Sequence, residues 1–176
     1  IAIGATTGVW TYTLDTSRLA VQALAMGQSV DDTFVLRVTD EFGASADQTV
    51  TVTVNGSNDA PVVTTSAGGQ LGTVREAGHF DNGSSDGGST TVSGTLTAAD
   101  VDTGATRSWS IAGTPSTTYG SIAINASTGV WTYTLDNTLA ATQALAEGQS
   151  VTQTFTALVT DDQGATADQT ITVTIN

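Results

Sequence analysis

Apolar and polar residues alternate with a period of two along most of the chain, which is the pattern of β-strands with one buried face. In the run Val130–Leu135, Trp131, Tyr133 and Leu135 share one face and threonines share the other. Threonine is β-branched and polar, so it suits the solvated face of a sheet. Runs of this kind predict short strands at Val62–Thr65, Thr91–Ala98, Thr106–Ile111, Ser121–Asn125, Val130–Leu135, Val151–Thr160 and Thr170–Ile175.

Short strands separated by turns rich in Gly, Asp and Ser predict an all-β fold, an antiparallel β-sandwich. Two segments depart from this pattern. Thr138–Glu147 has apolar residues at helical spacing and is followed by Gly148, which predicts one or two helical turns. Residues 79–89 are so rich in Gly and Ser that they predict a loop.

An internal repeat is the strongest signal in the sequence. Ile1–Asn55 aligns without a gap with Ile122–Asn176 at a constant offset of 121, and 37 of the 55 positions are identical. The chain therefore divides into the C-terminal half of one sandwich repeat (1–55), a linker (56–60) and one complete repeat (61–176). It begins inside a strand pattern without an initiator methionine, so we expect it to be part of something longer.

The half-repeat 1–55 poses a packing problem. Its strands carry Trp10, Tyr12, Leu14 and Phe34 on one face, and half a sandwich leaves that face exposed. Exposure costs roughly 25 cal/mol per Å² of apolar surface. We therefore expect 1–55 to be ordered by pairing with strands from outside itself, most simply from another copy of the chain, in a filament or a swapped dimer, or otherwise from preceding chain.

The charge of the chain narrows its partners. The formal net charge is −13, with four arginines and no lysine, so a nucleic acid or an anionic membrane surface is not an expected partner. Such a charge favours cations as partners, or serves solubility. There is no cysteine, which excludes disulfides and thiolate zinc sites, and no apolar run long enough to span a bilayer.

Acidic residues recur at strand ends. Asp100 and Asp102 stand two positions apart after a predicted strand, and Asp161 closes another strand. Asp15 and Asp136 take the same place in the two copies. Aspartate is common in turns, so these residues are either turn formers or oxygen ligands for a hard cation.

The linker region Asn55–Pro61 leaves the same two alternatives open. Gly56 and Pro61 interrupt regular structure on either side of it. Asn58 and Asp59 place side-chain oxygens between two folded units. A short segment of this kind is a plain turn or a place to bind a cation.

The repeat resembles the VCBS-type repeats of large bacterial RTX adhesins. The matching stretches are GTLTAADVDTGAT, YGSIAINASTGVWTYTLDN, ALAEGQSVTQTFTALVTDDQGATADQTITVTIN and the linker NGSNDAP. More distantly it is similar to the cadherin repeat, in which calcium lies between successive domains. The resemblance implies cadherin-like, Ig-like extender repeats in tandem.

The cadherin resemblance also implies a set of calcium ligands. At the junction the implied ligands are Asp15, Asn58, Asp59, Asp100, Asp102 and Asp161, and at the far end of the complete repeat they are Glu76 and Asp136. Two departures weaken the junction site: Thr16 and Ser17 stand where cadherins carry a second acid, and the counterpart of Glu76 would lie before Ile1. Calcium takes six to eight oxygens in flexible geometry, and extracellular modules bind it with a Kd of about 0.1–1 mM.

Nothing in the sequence favours catalysis. His79 is the only histidine and stands in the Gly/Ser-rich loop without a nucleophile motif. Paired carboxylates of a glycosidase remain open by composition, but the aspartates recur with the repeat, as structural ligands would. Trp131, Tyr133 and Trp109 alternate with polar residues, and we interpret them as core.

The favoured function is a non-catalytic, calcium-rigidified extender segment of a secreted or cell-surface adhesin, supporting attachment or biofilm formation outside the cell. Its expected partners are calcium ions and adjacent repeats of the same or a neighbouring chain. Two other functions stay open: a glycan- or protein-binding module, and a filament subunit in which a neighbour completes the half-repeat. An aromatic residue exposed beside a calcium-binding loop would favour the module, and intermolecular strand pairing at Ile1–Asn55 would favour the filament.

Overall fold

The computed structural model describes residues 1–79 and 83–176. The chain divides into two compact units, the first comprising 1–59 with 101–105 and the second comprising 60–100 with 106–176. In the described residues, the fold is all-β apart from two four-residue helices. None of the helices in the described part is long and apolar enough to cross a membrane.

The second unit contains the complete repeat, and its longer strands lie where apolar and polar residues alternate with a period of two. The strands are β5 (Val62–Val63), β6 (Leu71–Val74), β7 (Gly78–His79), β8 (Ser85–Asp86), β9 (Thr91–Thr95), β10 (Ala98–Ala99), β11 (Arg107–Ile111), β12 (Gly120–Ile124), β13 (Val130–Leu135), β14 (Val151–Asp161) and β15 (Thr166–Ile175), with helix α2 (Ala140–Gln143) after β13.

Seven of these strands form the two layers of a sandwich, and the short strands pair separately, β5 with β10 and β7 with β8. One sheet has the order β11-β14-β15-β6 and the other the order β12-β13-β9. The two facing layers share one apolar core, composed of Val74, Leu96, Trp109, Trp131, Tyr133, Leu135, Phe155, Ala157, Val159, Ile171, Val173 and Ile175. The predictions that Trp131, Tyr133 and Trp109 are core residues are therefore confirmed.

One pair of strands departs from the predicted antiparallel arrangement. Strand β6 runs parallel to β15, with Leu71 opposite Thr172 and Val74 opposite Ile175. Every other described pair in the second unit is antiparallel. The parallel pair arises because the chain crosses from one layer to the other between β6 and β9, and sequence alternation does not show that crossing.

The first unit contains β1 (Ala2–Ile3), β2 (Trp10–Thr11), α1 (Leu19–Gln22), β3 (Ser29–Thr39) and β4 (Ser45–Asn55). Strand β1 pairs with β2, and β3 pairs with β4 from Ser29–Asn55 to Thr39–Ser45. Trp10 is 42% exposed, whereas its counterpart Trp131 is fully buried.

Within the described chain, the strands of 1–55 pair only with one another, and Trp10 and Leu14 on its apolar face are exposed. Pairing of 1–55 with another copy or with preceding chain stays a prediction. Hydrogen bonding between sequence neighbours is enough to form each two-stranded ladder, since a hairpin needs no distant partner. Burial of the face does need one.

Two other local predictions need correction. The predicted one or two helical turns in Thr138–Glu147 are present as the single turn α2, but this helix ends at Gln143, and the chain reaches Gly148 in a separate turn. The predicted loop 79–89 contains the short strand β8, which pairs with β7 through Gly78–Asp86 and His79–Ser85. Part of that loop, residues 80–82, lies outside the described residues.

Candidate functional site

The linker begins with Gly56, at a position that only glycine can occupy. Its N–H donates to the carbonyl oxygen of Gln28 at 2.9 Å. A Cβ on Gly56 would lie 2.1 Å from the carbonyl oxygen of Leu24 and 2.3 Å from that of Ala25. The linker is therefore held against the loop that follows α1, and this contact is a second reason for glycine besides its tendency to end strands.

Asp102 belongs to the loop that contains Asp100 and Asp102, here called the Asp-x-Asp loop. Within the first unit, its side chain contacts the linker. Its carboxylate is buried, with 7% of the residue exposed, and Oδ2 accepts the N–H of Asp59 at 2.8 Å. The next residue of the loop, Thr103, donates its N–H to the carbonyl oxygen of Ala23 at 3.0 Å. A hydrogen bond from a backbone amide lowers the cost of burying a charged carboxylate.

Asp161 organises the turn after β14 in the second unit. The residue is 7% exposed, and Oδ1 accepts the N–H groups of Gln163 at 2.9 Å and Ala165 at 2.8 Å. Asp40, its counterpart in the half-repeat, makes the same two bonds at 2.9 and 2.8 Å. Asp40 was not among the predicted site residues, although the constant offset of 121 points to it.

Asp100 and Asp162 belong to the same end of the second unit. Asp100 follows β10 and is partly buried. Asp162 Oδ1 accepts the N–H of Thr106 at 3.0 Å. That bond, with a second from the side chain of Gln163, lowers the pKa of Asp162. Backbone amides thus hold two successive carboxylates, Asp161 and Asp162, in fixed positions.

Asp15 and Asp136 cap equivalent turns in the two copies. Asp136 Oδ1 accepts the N–H of Thr138 at 2.8 Å and its hydroxyl at 2.7 Å. Asp15 Oδ1 accepts the N–H of Ser17 at 3.1 Å and its hydroxyl at 2.6 Å. These bonds lower the pKa of both carboxyl groups. Asp15 and Asp136 therefore do stabilise turns. The turn occupies about half of the four acceptor positions of each carboxylate.

Glu76 lies at the far end of the complete repeat. Its Oε1 accepts a hydrogen bond from Gln143 Nε2 at 2.8 Å, and its N–H donates to the carbonyl oxygen of Asn176 at 2.9 Å. It borders a cavity of about 380 Å³ that Asp86 and Glu147 also line. Three carboxylates therefore face one concave surface, near the salt bridge between Arg75 and Asp86 at 2.9 Å.

The donor chemistry suits a hard cation such as calcium, because the predicted ligands are carboxylate and amide oxygens. Among residues 1–79 and 83–176, however, no group of three or more His, Asp or Glu side chains stands ready to hold a metal ion. The structure brings Asp59 and Asp102 together through the hydrogen bond between the Asp59 N–H and Asp102 Oδ2. The predicted coordination set stays a prediction.

A β-sandwich whose acidic turns recur with the repeat is typical of structural domains that occur in tandem. Residues 58–176 match the family described as the Bacterial cadherin-like domain, and the chain belongs to that family. Domains of this family are adhesion-type structural modules rather than enzymes, and they work outside the cell or at its surface. No curated protein matches the chain.

Several solved structures are similar to this chain, all at low identity. Protocadherin Gamma B2 domains 1–5 share 18% identity over 94% of this chain and 28% of that one, with a TM-score of 0.49. Drosophila N-cadherin EC1-4 shares 13% identity over 84% of this chain and 33% of that one, with a TM-score of 0.48. Mouse Cadherin-23 EC22-24 shares 17% identity over 94% and 44%, with a TM-score of 0.46. The chain spans less than half the length of each.

Proposed function

We propose that this chain is a calcium-rigidified extender segment of a secreted or cell-surface bacterial adhesin of the VCBS-type, RTX class. In this function the sandwich repeats do no chemistry. They space a binding domain away from the cell, and calcium limits bending at the linker. The observation that carries the proposal is the burial of Asp102 against the amide of Asp59, which ties the acidic loop to the linker.

The energetics of buried acid support this function. A carboxylate loses much of its hydration on burial, and a divalent cation is one means of offsetting that cost. Asp102 and Asp161 are each 7% exposed in a chain of net charge −13. Calcium also tolerates irregular sets of carboxylates, amides and backbone carbonyls, which suits ligands drawn from turns.

The proposed ligands fall into three groups that can be tested separately. In the first unit they are Asp15, Asn58, Asp59 and Asp102. In the second unit the candidates are Asp100 and Asp161. Variants of these two residues test whether they bind the same ion as the first group. Glu76 and Asp136 are proposed for a separate ion at the far end of the complete repeat.

Calorimetric titration of the EDTA-treated chain with calcium tests the proposal. We expect heat of binding with a Kd of about 0.1–1 mM. Because only the folded chain assembles the ligands, free calcium at 100 times Kd should raise the free energy of unfolding by about 2.7 kcal/mol. No heat, together with no calcium-dependent rise in Tm, would show that the carboxylates serve the turns alone.

Variants assign the ions to residues. Asp102→Asn should remove most of the calcium-dependent rise in Tm, and Asp161→Asn tests the second unit in the same way. Asp168→Asn is the matched control, since it makes the same charge change on an exposed position of β15. An equal loss in the control would mean that calcium acts through net charge and not through a site.

A second function, a binding module, has one observation in its favour. Phe42 stands at the tip of the turn that Asp40 organises, and it is 88% exposed. Its counterpart in the complete repeat is Gln163, so the aromatic ring is special to one copy. Replacing Phe42 by Gln and screening both forms on glycan and protein arrays tests this function. Identical profiles would remove its support.

A further inference from the structure

The turn that follows α1, residues 23–28, closes on itself through local hydrogen bonds and is here called the post-helix turn. The N–H of Gln28 donates to the carbonyl oxygen of Ala25 at 3.0 Å, and Gln28 Oε1 accepts the N–H of Ala25 at 3.1 Å. The equivalent turn of the complete repeat is closed by the same two bonds, between Ala146 and Gln149, both at 2.9 Å. Each bond joins residues three positions apart, so the turn forms from its own sequence.

Backbone carbonyls of the post-helix turn accept hydrogen bonds from two other segments of the first unit. Gly56 of the linker donates its N–H to the carbonyl oxygen of Gln28 at 2.9 Å. Thr103 of the Asp-x-Asp loop donates its N–H to the carbonyl oxygen of Ala23 at 3.0 Å. The two ends of one short turn therefore hold two segments that are about fifty positions apart in the sequence.

The linker approaches this turn so closely that only glycine fits. A Cβ on Gly56 would overlap the carbonyl oxygens of Leu24 and Ala25. Asp59 then joins the two segments that lie on the turn, because its N–H donates to Asp102 Oδ2 at 2.8 Å. The linker and the Asp-x-Asp loop are therefore one connected unit on the turn, and the donors of these hydrogen bonds are all backbone amides.

The side chains of the post-helix turn carry no charge, since its sequence is Ala-Leu-Ala-Met-Gly-Gln. Met26 stands where the second copy has Glu147, and it is 55% exposed. A glutamate at this position would place a negative charge on the turn that receives Asp59 and Asp102, in a chain whose net charge is already −13. The turn itself therefore requires no cation to neutralise it.

We propose that the post-helix turn is a docking site that holds the linker and the Asp-x-Asp loop without calcium. Backbone N–H and C=O groups pair without an ion, and leaving such groups unpaired on burial is costly. This inference goes beyond the proposed function, because calcium then acts on a linker that is already in place. Removing the ion leaves the linker on the turn, whereas removing the fit of Gly56 releases it.

Amide hydrogen exchange of the full chain 1–176 in excess EDTA, resolved by NMR, tests the proposal. The amides of Gly56, Asp59 and Thr103 should exchange about tenfold or more slowly than in an unstructured chain, because exchange requires the docked state to open. Gly56→Ala should return the Asp59 and Thr103 amides to about the unstructured rate, because the new Cβ would overlap the turn. Ser57→Ala is the matched control, since it changes the exposed neighbouring linker residue to the same amino acid.

The amides of β3 and β14 report whether each unit stays folded in every sample. The proposal is overturned if, with these strands protected, the Gly56 and Thr103 amides of the parent chain exchange at the unstructured rate in EDTA. Protection that develops only after calcium is added overturns it equally. A folded Gly56→Ala chain whose Asp59 and Thr103 amides exchange as slowly as in the parent also contradicts it. The parent chain decides the outcome even if Gly56→Ala does not fold.

Calcium titration separates this proposal from the proposed function. If the parent chain binds calcium, Gly56→Ala should raise the Kd about tenfold, because the ligands of the linker and of the Asp-x-Asp loop no longer start from a docked arrangement. An unchanged Kd would contradict the docking. If the parent chain binds no calcium, the proposed function fails, while slow exchange of the Gly56 and Thr103 amides in EDTA still supports the docking site.

Discussion

The two copies of the repeated segment, 1–55 and 122–176, form nearly the same local structure and differ in what covers them. Both have the same long hairpin, β3–β4 in one and β14–β15 in the other. Both pack a tyrosine ring on a phenylalanine ring at 5.8 Å between centroids, Tyr12 on Phe34 and Tyr133 on Phe155. Only the second copy has a buried core.

The difference between the two copies shows which features follow from the local sequence and which depend on residues far away along the chain. Strand pairing and turn chemistry follow from residues within a few positions of one another, so they appear in both copies. Burial depends on residues 61–120, which are distant from β14 and β15 along the chain. Variants at equivalent positions of the two copies can therefore measure what the cover contributes.

The largest effect is expected at the tryptophan pair. Trp131→Ala removes a fully buried ring and should lower the free energy of unfolding of the second unit by about 3–5 kcal/mol. Trp10→Ala removes a ring that is 42% exposed and should cost about 1 kcal/mol or less. Residue-resolved hydrogen exchange reports each unit separately. Equal costs would mean that Trp10 is buried in solution.

The equivalent glycines Gly8 and Gly129 separate the effect of the covering residues from the effect of backbone strain. Gly8 and Gly129 have φ of +67° and +68°, so alanine is strained equally at both. A Cβ at Gly129 would also lie 2.3 Å from the carbonyl oxygen of Leu96, whereas at Gly8 nothing lies within 4 Å. Gly129→Ala should lower the free energy of unfolding by about 1–3 kcal/mol more than Gly8→Ala does, as measured by urea unfolding. A difference near zero would contradict the close approach of Leu96.

A polar pair comes next. Tyr133 donates its hydroxyl to Gln153 Oε1 at 2.6 Å in the core, and burial raises the pKa of Tyr133 to about 12. Gln153→Ala leaves that hydroxyl without its acceptor and should cost about 1–3 kcal/mol. The equivalent bond, from Tyr12 to Asp32 at 2.7 Å, is exposed, and Asp32→Ala should cost about 0.5 kcal/mol. Thermal unfolding at pH 7 compares the two variants.

The smallest effect should be the same in both copies, because its cause is local. Hydrogen bonds from Ser17 and Thr138 lower the pKa of Asp15 and of Asp136 from the usual value of an aspartate. A carboxyl group whose pKa is lower in the folded chain than in the unfolded chain stabilises the fold at pH values above its unfolded pKa. This contribution disappears as the pH falls through the folded pKa. Asp15→Asn and Asp136→Asn should lower Tm slightly at pH 7 and have no effect near pH 2. A Tm deficit that persisted at pH 2 would contradict a charge-based role.

The sequence predicts the fold where its signals are local. Alternation identified β13, β14 and β15, and the internal repeat identified the equivalent turns of Asp15 and Asp136. The parallel pairing of β6 with β15 was out of reach, because residues a hundred positions apart meet there. The same limit applies to the contact of Gly129 with Leu96.

The candidate site divides in the same way. Residue type and spacing selected oxygen donors in acidic turns, and Asp102 and Asp161 are indeed turn-forming, buried carboxylates. Their coordination of an ion depends on distances between turns that no spacing encodes. Asp40 has the position of Asp161 in the first copy, so the offset of 121 alone is enough to find it.

The parallel pair β6–β15 also determines how the complete repeat responds to tension. The chain enters β6 at Leu71 and leaves β15 at Ile175, which stands beside Val74 at the opposite end of the pair. A pull applied at Leu71 and at Ile175 therefore slides the strands along each other. The flanking bonds, Thr172 N–H to Gln70 O at 2.9 Å and Asn176 N–H to Val74 O at 3.0 Å, are then strained together and not one after another. Because forced unfolding is governed by the unfolding rate, this shear geometry makes the repeat resist force better than its equilibrium stability alone implies.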